Sequence, residues 1–223
     1  MIKDKLIGRT TYIFDFDGTL FHLFTTFDFD NELKMLDKEF KRLGFKFPNT
    51  WNPFEAFKVA NDNTNPNKEE ALIFSDRLLT DCELRYIDLG YPVKGAIRLL
   101  KYLYENNYKI AIASNNSPLA IKKFIDKYLN GYDIPVIGRI GTKPELLKPN
   151  TYMLDELLKI TGSTKGEAVF FGDHPRDMEC AIACGIEFIP VCPADYKMER
   201  MLKIVAEDEI AKDLDDIYNL IAK

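Results

Sequence analysis

The sequence predicts an α/β fold in three layers, a parallel sheet covered by helices on both faces, with an all-helical segment inserted after the first strand. Three observations predict it. From residue 92 onward strand-like and helix-like patterns alternate, as repeated right-handed crossovers require. The runs Tyr12-Ile13-Phe14, Ile110 to Ala113 and Ala168 to Phe171 are almost continuously apolar, as strands covered on both faces must be. Between about residues 21 and 89 that rhythm breaks, and only helical spacing remains.

The first strand is Thr11 to Phe14. In the insertion, Leu33, Leu36, Phe40 and Leu43 follow helical spacing and Gly44 offers a stop. Phe54 and Phe57 mark a second, short helix, and the polar run Asn61 to Asn67 is a loop. Leu72, Leu79, Cys82 and Tyr86 then share one face of a longer helix. The exits, near Phe21 to Asp28 and Leu89 to Pro92, read as two hinge strands. A helix from about Val93 to Glu105 leads to a strand at Lys109 to Ser114, with Asn106 and Asn107 as left-handed stop residues between them. Further strands are expected at Pro135 to Ile137, Ala168 to Phe171 and Phe188 to Val191. A helix from about Thr151 to Ile160, stopped near Gly162, precedes the second of these. The tail from Asp195 to Lys223 reads as charged helix, packed down through Ile210, Leu214, Ile217 and Leu220. The expected division is a core of residues 1–20 and 90–223 around a helical insertion of residues 21–89.

The 223 residues carry 30 basic and 35 acidic side chains, a formal charge of −5. That balance lacks the clustered positive field that nucleic acid or a membrane surface would demand. No apolar run approaches the roughly 20 residues that span a bilayer, and no signal peptide is visible. A soluble, cytoplasmic protein is expected. Cys82, Cys180, Cys184 and Cys192 are too few for a disulfide scaffold, and His22 and His174 do not complete a zinc set. All four thiols are expected as small buried apolar side chains.

The chemistry lies at the strand ends. Asp15-Phe16-Asp17-Gly18-Thr19-Leu20 directly follows the first strand, and open parallel sheets bind ligands beyond the carboxyl ends of their strands. Two aspartates there are costly unless a cation neutralises them. Gly18 permits a sharp turn that brings backbone amides close to whatever the carboxylates hold. Asp-Gly alone would be an ordinary turn, so the other strand ends decide. Ser114 and Asn115 close one of them. Gly172-Asp173-His174-Pro175-Arg176-Asp177 closes another, with Pro175 suited to a first helical turn and Asp173 and Asp177 able to face one point. Lys148-Pro149 stands just before the Thr151 helix, and Lys143-Pro144 is the one other such pair. Hard oxygen donors in this number favour Mg²⁺, and Lys148 with Ser114 would hold phosphoryl oxygens.

In this order and at this spacing, the DFDGTL, SN, KP and GDHPRD segments resemble the haloacid dehalogenase-like (HAD) hydrolase superfamily over residues 10–20 and 90–221. The insertion is similar to the helical C1-type cap of the phosphoglycolate phosphatase-like members. The resemblance implies a Rossmann-like core and a Mg²⁺-dependent phosphatase acting on a small phosphorylated metabolite. It implies Asp15 as the nucleophile that forms an aspartyl-phosphate and Asp17 as the general acid and base. Mg²⁺ would take Asp15, the backbone carbonyl of Asp17, and Asp173, with Asp177 bound directly, through water, or holding Lys148. Ser114 and Lys148 would bind the phosphoryl group, helped by amides of Phe16, Gly18 and Asn115. Asp17 favours a phosphate over a haloacid, because the dehalogenases need no second carboxylate. A phosphosugar mutase of the same superfamily and a catalytically silent domain that binds a phospholigand or partner are the alternatives. His174 and Arg176 are expected as helix-terminal surface residues, and His22 either packs the hinge or faces substrate. Trp51, with Phe47 and Phe54, is expected in the packing of the cap.

Overall fold

A computed structural model describes residues 1–24, 29–62 and 64–222. The chain opens with helix α1 (Ile2–Leu6) and enters the sheet at β1 (Thr11–Phe14). It leaves along β2 (Phe21–His22), runs through α2 (Asp30–Arg42), α3 (Glu55–Ala60) and α4 (Lys68–Leu89), and returns along β3 (Tyr91–Pro92). Strands and helices then alternate through α5 (Ala96–Glu105), β4 (Lys109–Ala113), α6 (Pro118–Tyr128), β5 (Val136–Ile137) and α7 (Tyr152–Thr161). The last elements are β6 (Ala168–Gly172), α8 (Pro175–Cys184), β7 (Glu187–Pro190), α9 (Asp195–Met201) and α10 (Leu214–Ile221).

Five strands form one parallel sheet in the order β5-β4-β1-β6-β7. Side chains alternate across it, as the pleat requires. Tyr12, Phe14, Ile112 and Phe171 enter one apolar layer with Leu99 of α5, Phe124 of α6 and Ile217 of α10. Ile13, Ala111 and Phe170 enter the other with Leu157 of α7, Cys180 of α8 and Met201 of α9. Both faces are thus covered, which is why these strands carry no polar alternation. The expected three-layer α/β class is the one observed.

The helices α2, α3 and α4 enclose a third apolar cluster around Leu36, Phe40, Phe57 and Leu79. The chain leaves for these helices and returns through β2 and β3, which pair antiparallel with Phe21 opposite Pro92 and His22 opposite Tyr91. Residues 25–28 of the expected first hinge lie outside the described residues. No helix among the described residues is long and apolar enough to cross a membrane.

Four local expectations differ from what is found. Helix α6 was not anticipated, although Ser117 caps it by accepting from Leu119 N–H at 3.3 Å and Pro118 opens its first turn. The short α1 was likewise not anticipated. Helix α5 starts at Ala96 rather than near Val93, because Gly95 at φ +82° caps it in a left-handed conformation. The tail is two helices, not one. Ala211 bridges Val191 beside β7, donating to Pro190 O at 2.9 Å and accepting from Cys192 N–H at 2.8 Å, and so breaks any continuous helix. Asn107 does take the left-handed conformation, with φ 61°.

Candidate active site

β1 lies at the centre of the sheet with β4 and β6 on either side. Asp15 follows β1, Ser114 follows β4 and Asp173 follows β6, so all three emerge on one rim. Asp15 N–H donates to Phe171 O at 2.8 Å, carrying the β1–β6 ladder one residue further and fixing the start of the loop. One carboxylate oxygen from each of Asp15, Asp173 and Asp177 lies within 4.8 Å of the other two, and all three residues are buried. At an effective dielectric constant of about 20, charges this close repel by roughly 3 kcal/mol per pair. Positive charge must be supplied to such a cluster.

Lys148 supplies part of it. Its Nζ donates to Asp15 Oδ1 and to Asp177 Oδ1, both at 2.6 Å, and to Ala113 O at 3.0 Å. Burial alone would depress this ammonium, but Asp15 and Asp177 more than reverse that and raise its pKa, so it stays charged. The side-chain amide of Asn115 pins its backbone, accepting from Lys148 N–H at 2.9 Å and donating to Lys148 O at 3.3 Å. Lys143, in the other Lys-Pro pair, is exposed. Asp177 Oδ2 accepts from His174 N–H at 3.1 Å in a capping box at the start of α8. Both oxygens of Asp177 are therefore engaged, one by Lys148 and one by the helix end. Ser114 Oγ lies 3.0 Å from Asp15 Oδ1.

Asp17 turns its carboxylate aside, where Oδ1 accepts from Leu23 N–H at 3.0 Å. Burial pushes its pKa up to about 7, against the opposing pull of Lys197 and with help from Asp173. A carboxyl there can hold a proton near neutrality, although a divalent cation beside it would draw the value down. Gly18 has φ +85°, and a Cβ at this position would collide with Lys197 Nζ and lie 2.6 Å from Asp173 Oδ2. Only glycine fits.

Lys197 was missed by sequence reasoning. It lies buried in α9 and forms an ion pair with Asp173. Burial opposes the charge on this ammonium, but Asp173 overrides it and raises the pKa. One turn later Arg200 Nη2 donates to Asp173 O at 2.9 Å, while its Nε is buried with no hydrogen-bond partner among the described residues. Both residues sat in a tail that read simply as charged helix.

The rim floors a cavity of about 470 Å³. Asp15, Asp17, Ser114, Asn115, Lys148 and Asp173 line one side, and Asp177 also borders it. Phe24, Phe29, Trp51, Phe54 and Phe57 line the other. Trp51 is 75% exposed, so it belongs to this lining and not to the packed interior of the insertion, contrary to expectation. It stands in the irregular segment that leads into α3. His174 and Arg176 border the cavity too. His174 Nδ1 accepts from Arg176 N–H at 3.1 Å, and burial with Arg200 and Arg176 lowers its pKa to about 4, keeping the ring neutral. His22 packs in the hinge, its ring 4.8 Å from that of Tyr91, and borders a different cavity.

A doubly covered parallel sheet, with Asp15 and Asp173 at the ends of neighbouring strands and helices inserted after the first strand, defines an α/β protein whose candidate site lies on the carboxyl rim of the sheet. Residues 12–191 match the model of the haloacid dehalogenase-like hydrolase family, and the chain belongs to that family. Among curated proteins it is 25% identical to pyrophosphatase PpaX of Listeria welshimeri, over 90% of this chain and 98% of that one. Among solved structures, a hydrolase from Pseudomonas syringae superposes with a TM-score of 0.67 at 18% identity, covering 95% of this chain and 97% of the other. A candidate phosphoglycolate phosphatase from Lactobacillus delbrueckii subsp. bulgaricus gives a TM-score of 0.57 at 19% identity, with 96% and 99% covered. The chain shares the fold of these neighbours.

Proposed function

We propose that the protein is a Mg²⁺-dependent phosphatase that hydrolyses a small phosphorylated metabolite through a phosphorylated Asp15. One observation carries this reading: Asp15, Asp173 and Asp177 converge beside Lys148 and Ser114 on a single rim. The donors are hard oxygens and fit Mg²⁺. Asp15, Asp173 and the backbone carbonyl of Asp17 would hold the ion. Asp177, with both oxygens already engaged, would hold Lys148 in place. A bound Mg²⁺ supplies the charge that lets a phosphate dianion approach carboxylates.

In the first step an Asp15 oxygen attacks phosphorus and the bond from phosphorus to the ester oxygen breaks. Asp17 gives its proton to that oxygen. In the second step Asp17 takes a proton from water as the water oxygen attacks phosphorus, and the Asp15 carboxylate departs with orthophosphate released. Ser114 and Lys148 hold the non-bridging oxygens throughout, with Asn115 and the Gly18 turn shaping the cradle. Residues 21–89 act as a cap over a core of residues 1–20 and 90–223, and the aromatic lining shields the reaction from bulk water. Four unpaired, buried thiols agree with a reducing compartment, and the cytoplasm is the proposed location.

The test is turnover of p-nitrophenyl phosphate with Mg²⁺, followed by chelation, and then a panel that begins with pyrophosphate and phosphoglycolate. Hydrolysis that EDTA abolishes and Mg²⁺ restores is the expected result. Absence of turnover with any divalent metal overturns the reading and favours a silent phospholigand binder.

A further inference from the structure

We propose that Glu83, Asn116 and Arg139 are positioning residues for Ser114, so that the long helix α4 of the insertion sets the phosphate-binding loop from outside the rim. The proposal rests on the phosphatase reading above. Ser114 Oγ lies 3.0 Å from Asp15 Oδ1 and 2.9 Å from Asn116 Oδ1, two acceptors for one hydroxyl proton. An asparagine can present either its oxygen or its nitrogen to such a hydroxyl. Glu83 decides which. Its Oε1 accepts from Asn116 Nδ2 at 3.0 Å, so the amide oxygen must face Ser114. The hydroxyl then has somewhere to turn other than the nucleophile, and Asp15 Oδ1 keeps only the hydrogen bond from Lys148. With the amide reversed, Nδ2 would donate to Ser114 Oγ and drive the hydroxyl proton onto Asp15.

The same carboxylate fixes the loop backbone, since Glu83 Oε2 accepts from Ser117 N–H at 2.8 Å. Arg139, in the loop after β5, holds Glu83 in turn, with Nη1 to Oε1 at 2.9 Å and Nη2 to Oε2 at 3.4 Å. Its Nε donates to Asp76 Oδ1 at 2.7 Å, its Nη1 to Asn115 O at 3.1 Å and its backbone N–H to Asn116 O at 2.9 Å. The Glu83 and Arg139 side chains are both 0% exposed. A buried ion pair adds little net stability over an apolar pair of the same size, so its place against Ser114 and Asn116 calls for another use. Arg139 also sits 5.2 Å from the centre of the Phe57 ring, which lines the cavity opposite the carboxylates. One guanidinium thus touches both the roof and the loop beneath it.

The experiment is a double-mutant cycle in the full chain. Turnover of p-nitrophenyl phosphate with Mg²⁺ is followed for Glu83→Gln in the wild-type and Ser114→Ala backgrounds, with enzyme in excess so that slow rates are read. With Ser114 present, Glu83→Gln is expected to lower kcat about tenfold with KM within about twofold; after Ser114→Ala the same change should cost less than about twofold. Asn116→Ala, which leaves the ion pair intact, is expected to behave alike and serves if Glu83→Gln fails to fold. Equal factors in both backgrounds, or no slowing with Ser114 present, overturn the proposal while leaving the phosphatase reading in place. A wild-type protein inert towards every phosphate ester overturns both.

Discussion

Asp15 receives Lys148 Nζ and lies beside Ser114 Oγ, and an asparagine in its place keeps the shape but loses the carboxylate oxygen proposed to attack. Lys148 would still have Asp177, so the cluster stays paired. Asp15→Asn is expected to lower turnover by at least about a thousandfold, as removing a nucleophile does elsewhere, with the melting temperature within a few degrees of wild type by calorimetry. Trp51 offers the opposite case, because it is exposed and outside the packed clusters. Trp51→Ala should change unfolding free energy by less than about 0.5 kcal/mol in urea titration while raising KM for substrates with bulky leaving groups. An unchanged KM across the panel would remove Trp51 from the substrate contact. The carboxylates, Ser114 and Lys148 were legible in the sequence because each stands within a few residues of a recognisable strand or helix end. Lys197 and Glu83 were not. Their approach to the rim depends on the direction α9 takes after β7 and on how α4 packs against α6, and neither is written in local spacing.

Among the elements, the central strands were legible because burial on both faces forces unbroken apolar runs. The tail was not, since its helical charges hide a break. Asp213 starts α10 by accepting from Asp215 N–H at 2.8 Å and Asp216 N–H at 3.3 Å. Asp213→Ala is expected to cost about 1 kcal/mol in urea unfolding, the usual loss for an N-cap carboxylate. No loss would mean that Asp213 does not act as the cap of α10. Helix α6 shows the reverse lesson. Its Ser117-Pro118 start and the spacing of Ala120, Ile121, Phe124 and Ile125 are ordinary helix signals, and they follow directly on the Ser114-Asn115 loop.

For the whole molecule, thiol chemistry offers a check on packing. Burial pushes Cys82 and Cys180 up to about 12, and Cys184 and Cys192 up to about 11. An aromatic disulfide reagent at about pH 8 should label none of the four within minutes in the native protein and all four in denaturant, because only an accessible thiolate reacts. Labelling of even one native thiol would place it outside the apolar layers. The pairing of β2 with β3 bears on descent as well as on architecture. Departure and return of the chain are hydrogen-bonded neighbours, so everything between them can be exchanged in one genetic event without rethreading the sheet. On the proposed reading of residues 21–89 as a cap, leaving-group preference can drift by substitution of the upper storey while the rim below keeps its carboxylates. On the positioning role proposed for Glu83, a replacement keeps the rate only if it brings an acid to meet Arg139 and Asn116.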